Sequence, residues 1–242
     1  MIEVTELGKS FGAVEAVRSV SFLAQDGTVT ALLGPNGAGK TTTLRILTGL
    51  MSPDLGTVRV DGVDVRSDRL GVQHRIGVLP DARGLYPRLT AREHVEYFGR
   101  LQGMSESALR TRFTAIAEFL ALTELADRRV AGFSHGERSR VALARALIHE
   151  PRNVILDEPT NGLDIAGARS VRRIIRELRE RGRCVLFSSH ITQEVLAVCD
   201  RIVLIARGAV VGNGTPTELT EQSGCDNLED AIVTLTGLGS VA

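Results

Sequence analysis

Eight residues, Gly34-Pro35-Asn36-Gly37-Ala38-Gly39-Lys40-Thr41, constrain this chain more than any other stretch of it. They fit G-x-x-x-x-G-K-[ST], follow the apolar run Val29–Leu33 and precede the helical-looking Thr42–Leu50, so a buried strand, a glycine-rich loop and a helix N-terminus arrive in that order. Glycines let backbone N–H groups converge on phosphate oxygens, the helix N-terminus adds its partial positive charge, and Lys40 sets a compact ammonium against the β- and γ-phosphates. Thr41 then offers its hydroxyl to Mg²⁺, and Thr42 follows on the first turn of the expected helix. A glycine-rich βα turn of purely structural purpose leaves the lysine unexplained, because Lys9 and Lys40 are the only lysines in a chain whose other basic side chains are arginines.

Such a loop needs a parallel sheet to start from. The continuous apolar segments Val29–Leu33, Val154–Leu156, Val185–Phe187 and Ile202–Ile205 have the character of strands buried on both faces, with Ile76–Leu79 as a fifth. Apolar and polar residues alternate on both sides of Asp61-Gly62, from Thr57 to Val65, which predicts a hairpin in the first third of the chain. Val171, Ile174, Ile175 and Leu178 fall at i, i+3, i+4 and i+7 of a helix whose other faces carry Arg169, Arg172, Arg173, Arg176 and Arg179, a solvated face. From about Leu89 to Glu150 strand signals give way to Ala, Leu, Arg and Glu, the composition of an inserted helical region.

The 242 residues suffice for one large domain with its own core. Lys+Arg and Asp+Glu are 29 each, so no net field steers the chain toward nucleic acid or anionic lipid, and no nucleic-acid partner is expected. The longest stretch without a charged residue, Gly27–Gly39, is well short of the roughly 20 apolar residues of a membrane span, so no direct insertion into a bilayer is expected. Met1-Ile2-Glu3-Val4 lacks the basic and then apolar layout of a secretory signal, which makes the cytosol the expected compartment. Cys184, Cys199 and Cys225 lie far apart without metal-ligand spacing and read as reduced thiols.

Two further segments carry chemistry. Asp157-Glu158 closes the apolar run Val154–Leu156, and a carboxylate at the C-terminal end of a parallel strand sits where α/β sheets bind ligands. Asp157 is then placed to hold the Mg²⁺ shell, and Glu158 to polarise a water for attack on a γ-phosphate. Two adjacent buried carboxylates without a cation would be costly, which counts against a structural role alone. Phe133-Ser134-His135-Gly136-Glu137 opens the helical pattern Arg138–Ile148, and Ser134 with Glu137 forms S-x-x-E, a capping box when taken by itself.

In order, residues 34–41, Ser134–Glu137, Asp157-Glu158, Asn161-Gly162-Leu163-Asp164 and His190 closely resemble the ATPase subunits of ABC transporters, over nearly the whole chain. Within them the sequence is most similar to the branch serving sodium, drug and polysaccharide exporters whose membrane subunits are separate polypeptides. The resemblance implies an α/β fold of the P-loop NTPase (RecA-like) type. Residues 1–242 would form one domain: a mainly parallel sheet core, an N-terminal antiparallel β subdomain, an inserted helical subdomain at about 88–150 and a short C-terminal extension at about 215–242.

The same resemblance implies ATP and Mg²⁺ as ligands and distributes roles. Lys40, Glu158 and His190 would carry catalysis, His190 as the switch residue that reaches the γ-phosphate. Phe11 would stack on adenine, Gly34 through Thr42 would wrap the phosphates, and Ser134, Gly136, Glu137 and Asp164 would touch nucleotide from an opposing subunit. Thr41, Asp81 and Asp157 would hold the metal. The sequence departs from the family pattern at Phe133, His135 and Glu137, where Leu-Ser-Gly-Gly-Gln is usual, and at Asp81, where the family has glutamine.

By the same token two chains, a homodimer or a pair of ATPase subunits, would sandwich two ATP head to tail and drive a separately encoded membrane permease from the inner face of the cell membrane. Leu85, Tyr86, Tyr97 and Phe98, rimmed by Arg83, Arg88 and Arg92, are expected to form an apolar patch beside the groove that receives a short permease helix. A soluble ABC ATPase of translation or DNA repair would be expected to add paired cassettes, coiled coils or basic extensions. A P-loop kinase leaves His190, Ser134–Glu137 and Gly162–Asp164 unexplained, while the Asp81 and Glu137 departures point toward a regulatory ATP-binding module. The transported substrate and the direction of transport belong to the permease.

Overall fold

Five apolar runs of the sequence become the parallel centre of one sheet. The structure, a computed structural model, describes residues 1–82 and 84–237. In chain order its elements are β1 (Ile2–Phe11), β2 (Val14–Ala24), β3 (Val29–Leu33), α1 (Lys40–Leu47), β4 (Leu55–Val60), β5 (Val63–Asp64), α2 (Arg69–Arg75), β6 (Ile76–Leu79), α3 (Ala91–Leu101), α4 (Glu106–Phe119), α5 (His135–Leu147), β7 (Asn153–Asp157), α6 (Ile165–Glu180), β8 (Cys184–Ser189), α7 (Thr192–Leu196), β9 (Arg201–Ala206), β10 (Ala209–Gly214), α8 (Pro216–Ser223) and α9 (Leu228–Thr236). The strand order is β5-β4-β1-β2-β10-β9-β3-β8-β7-β6. Strands β9, β3, β8, β7 and β6 run parallel, whereas β1, β2, β4 and β5 pair antiparallel.

Alternation along the parallel strands explains why they read as continuous apolar runs. Val29, Ala31 and Leu33 of β3, Val154 and Leu156 of β7, and Val185 and Phe187 of β8 enter one core. Leu32, Ile155 and Leu186, the residues between them, enter a second core on the opposite face, shared with α1 and the antiparallel strands. Both faces are therefore dry, and each aliphatic side chain fully buried there contributes roughly 1.5–3 kcal/mol. On the first face Val171, Ile174, Ile175 and Leu178 of α6 are all buried, as their spacing predicts.

The Asp61-Gly62 hairpin forms between β4 and β5, with φ of 49° and 77° at the two turn residues. Between β6 and β7 the described residues hold α3, α4, α5 and two single 3₁₀ turns but no strand beyond one isolated bridge, Thr90 with Arg129. At the C-terminal end, Leu219, Leu228, Ala231 and Ile232 of α8 and α9 pack back into the first core. Residues 238–242 of the expected C-terminal extension lie outside the described residues.

Register brings the functional loops to one edge. Leu33 pairs with Ser189 and Asp157 with Ser188, so β3, β7 and β8 end side by side and release their loops at the same end of the sheet.

Candidate active site

The turn from β3 into α1 is built by glycines that nothing else can replace. A Cβ on Gly34 would lie 2.1 Å from the Ile205 carbonyl oxygen, and Gly39, at φ 103°, would bring one to 2.5 Å from the Ala16 oxygen. At Gly37, φ 79°, an added Cβ meets no atom within 4 Å, so the loop leaves open space on the side where it curls. Lys40 opens α1 and is buried; its Nζ donates to the Gly34 and Pro35 carbonyl oxygens at 2.7 and 3.1 Å. The ammonium is thus folded into a ring of backbone carbonyls, positions from which a polyanion can take it over. Burial pulls its pKa below the ordinary lysine value, against the opposing pull of the Glu158 and Asp157 carboxylates.

Glu158 lies 3.9 Å from Lys40 Nζ and 3.0 Å from His190 Nδ1. The cation that an Asp-Glu pair requires therefore comes from the phosphate loop itself. Phe11, Ala16, Asn36 through Thr42, Asp81, Glu158, Asn161 and His190 line one open cleft of about 490 Å³. Gly34 and Pro35 reach it through their carbonyl contacts with Lys40. Phe11 is 48% exposed at the rim, with the Lys9 ammonium 5.8 Å from its ring centroid, so one ring face is available for stacking. Asp157 is buried, and its Oδ1 accepts from the Ser188 hydroxyl at 2.6 Å. Asp81 is exposed, and its Oδ1 accepts from Asn161 Nδ2 at 3.4 Å.

The Ser134–Glu137 segment does not join this cleft. Ser134, Gly136, Glu137 and Asp164 line a separate one of about 270 Å³ between the N-termini of α5 and α6. Both acids there are spent on helix ends. Glu137 accepts the Ser134 N–H at 2.7 Å in a complete capping box, which holds its carboxyl below the usual range, and Asp164 accepts the Gly167 N–H at 2.7 Å. Glu137 turns back on its own helix and Ser134 Oγ accepts the Glu137 N–H at 3.2 Å, while at Gly136 the backbone is open, since a Cβ there would meet nothing within 4 Å.

The expected apolar patch forms only in part. Tyr86 is 53% and Tyr97 44% exposed, with ring centroids 6.5 Å apart. Leu85 packs toward the core, and Arg92 turns away from the rim to pair with Asp127 at 2.8 Å over the Phe113 ring, because a carboxylate and a ring face bind it better than solvent does. Arg88 is exposed, and Arg83 lies outside the described residues. Sequence reading gives Ser188 and Ala16 no site role, and Asn161 enters it only as a member of the Asn161–Asp164 segment. The signal for Ser188 is its register opposite Asp157, which no local motif carries.

A phosphate loop entering a helix from a central parallel strand, with an acid pair at the end of a nearby strand, defines a P-loop nucleotide hydrolase. The family model described as ABC transporter matches residues 17–161, and the chain belongs to that family, as an ATP-binding subunit with ATPase activity. It is 41% identical over 233 residues to the ABC transporter ATP-binding protein NatA of Bacillus subtilis, covering 94% of this chain and 95% of the relative. To Nod factor export ATP-binding protein I of Burkholderia lata it is 40% identical, covering 94% and 75%. Among solved structures, the ATP binding subunit of an ABC transporter superposes with a TM-score of 0.90 at 29% identity, over 98% of this chain and 99% of that one. A dimeric post-hydrolysis state of the cassette MJ0796 bound to ADP and Pi gives 0.80 at 26% identity, over 89% and 98%.

Proposed function

We propose that the chain is the motor of an exporter: it pairs head to tail with a second ATPase subunit around two ATP and drives a separate membrane permease at the inner face of the membrane. The observation that carries this reading is the division of the site. Lys40, Glu158 and His190 share one cleft, while Ser134 and Gly136 stand in another with no phosphate loop of their own, so each half needs its complement from a second chain. Export is supported by relatives such as Nod factor export ATP-binding protein I. Among the described residues no helix is long and apolar enough to cross a membrane, in keeping with a separate membrane partner.

Within the cleft the loop amides from Gly34 to Thr42 and the Lys40 ammonium bind the phosphates, the ammonium exchanging two carbonyls for phosphate oxygens. Glu158 takes the proton of the attacking water as general base. His190, hydrogen-bonded to Glu158, holds that carboxylate in place and offers its imidazole toward the γ-phosphate. Phe11 stacks on the adenine. The Thr41 hydroxyl with the Asp157 and Asp81 carboxylates is an all-oxygen donor set of the kind a hard divalent cation takes, and no hydrogen-bond donor among the described residues occupies Asp157 Oδ2. Mg²⁺ bound there would neutralise charge on the β- and γ-phosphates.

Two substitutions test the reading. Lys40→Ala abolishes ATP binding, whereas Glu158→Gln keeps binding, loses turnover by about a hundredfold or more and accumulates an ATP-held dimer on size exclusion, since only the base is removed. Undiminished hydrolysis by Glu158→Gln would refute the assignment of the base.

A further inference from the structure

Ser188 both donates and accepts through its one hydroxyl, and both bonds go to the acid pair. Its Oγ donates to Asp157 Oδ1 at 2.6 Å and accepts the backbone N–H of Glu158 at 3.0 Å. The two bonds use opposite roles of one oxygen: the peptide N–H can only donate to it, and its own proton lies toward Asp157 Oδ1. The residue is fully buried, and as the register partner of Asp157 across the parallel β7/β8 pair it presents its side chain on the same face. Glu158 has φ 47°, a left-handed conformation that a non-glycine residue keeps only where its surroundings hold it. Here the holding contact is the Ser188 hydroxyl on the Glu158 N–H. A second tie, from Thr160 Oγ1 to Glu194 Oε2, fastens the next residues of the same loop to α7.

We propose that Ser188 is a positioning residue for ATP hydrolysis, one hydroxyl fixing both the Asp157 carboxylate and the backbone turn that aims Glu158 between Lys40 and His190. The proposal rests on Glu158 being the general base. Replacing Ser188 by alanine removes the tie to both neighbours at once, leaving a buried carboxylate oxygen and a strained peptide N–H without partners, while the phosphate loop is untouched. Threonine keeps the hydroxyl, and cysteine keeps the volume with a much weaker donor and acceptor.

The test is steady-state ATPase activity of the full chain, with the affinity for a fluorescent ATP analogue and the melting temperature measured alongside, for Ser188→Ala, Ser188→Thr, Ser188→Cys and Glu158→Gln. The expected result for Ser188→Ala is a kcat lower by about ten- to a hundredfold with KM and analogue affinity changed by less than about threefold, because a misaimed base costs rate and not binding. Ser188→Thr restores kcat to within about threefold, and Ser188→Cys falls between. A kcat for Ser188→Ala within about twofold of the unaltered chain overturns the proposal, as does a parallel loss of rate, affinity and melting temperature that threonine does not repair. If the alanine variant does not fold, unaltered turnover by the cysteine variant overturns it in the same way. Glu158→Gln separates the two readings: retained turnover there removes the base and this proposal with it, whereas a dead Glu158→Gln beside a fully active Ser188→Ala removes Ser188 alone.

Discussion

At Asp81 one side chain lets charge and metal binding be tested apart. Its carboxylate is exposed at the cleft that also holds Thr41 and Glu158, tied only loosely to Asn161 at 3.4 Å. A charge in that position attracts a divalent cation, but it also stands near the path of an attacking water, so its net effect is read best where charge alone is removed. Asp81→Asn keeps size and polarity. At a solvent-facing site the lost attraction is on the order of 1 kcal/mol, so the Mg²⁺ concentration for half-maximal activity should rise about three- to tenfold while the maximal rate changes less. Titrating ATPase activity against Mg²⁺ checks this, and an unchanged half-maximum would remove Asp81 from the ion. Lys40 was legible because the loop that holds it is contiguous in sequence, its ammonium meeting the Gly34 and Pro35 carbonyls, whereas Glu158 was legible only from its place at a strand end. The two carboxylates of the Ser134 and Asp164 segments were legible only as motif members: that both close onto helix ends depends on side-chain geometry that spacing does not encode.

Between elements, the joint most sensitive to solution conditions links α3 to the loop after β6. His94 of α3 is fully buried, stacked at 5.6 Å on Tyr86 and at 5.5 Å on Phe98, and its Nε2 accepts the Tyr86 backbone N–H at 3.1 Å. The neutral ring then carries its proton on Nδ1, which meets no partner among the described residues. Burial, with the Arg145 guanidinium nearby, pushes its pKa down to about 4. Because the folded value lies below the unfolded one of about 6.5, the unfolded chain takes up a proton first: this contribution is whole above pH 6.5 and drains away as pH falls toward 4. Urea unfolding should therefore lose about 2 kcal/mol from this residue between pH 7 and pH 5, and His94→Gln, which keeps an acceptor without titrating, should lose correspondingly less over that interval. Equal pH dependence in the two proteins would show that His94 is not the group. Such joints escape a sequence reading; β1 and β2 were expected only through the resemblance, as part of an N-terminal antiparallel subdomain, because their pairing slips between Val4 and Leu7 and their outer residues are charged, leaving neither a clean alternation nor an apolar run. The parallel strands were legible because burial on both faces makes their centres apolar runs, as in Val154–Leu156 of β7 and Val185–Phe187 of β8.

At the scale of the whole molecule, the nucleotide cleft and the surface expected to meet the permease lie close together in sequence, at Asp81 and at Tyr86. Asp81 belongs to the cleft, and five residues later the Tyr86 ring stands half-exposed, edge-on to Tyr97, whose neighbour Phe98 lines a cavity of about 320 Å³ with Leu50, Pro80, Gln102 and His149. Leu50 at the cavity, and Leu101 next in sequence to the cavity-lining Gln102, are more than half exposed, apolar area that a partner can cover. A half-exposed aromatic held against neighbouring rings is the kind of anchor around which partner surfaces concentrate their binding energy. The hydrogen bond from this residue to His94 uses the Tyr86 backbone, so truncating the side chain leaves the loop tied to α3. Tyr86→Ala should accordingly keep the basal ATPase rate of the isolated subunit within about twofold, while co-purification with the permease falls about tenfold or more and transport uncouples from hydrolysis. Co-expression of tagged subunit and permease, with ATPase assayed on the free subunit, separates the outcomes. A matching loss of basal activity would mean that the ring supports the fold of the cleft, and full retention of the complex would move the docking surface away from this loop.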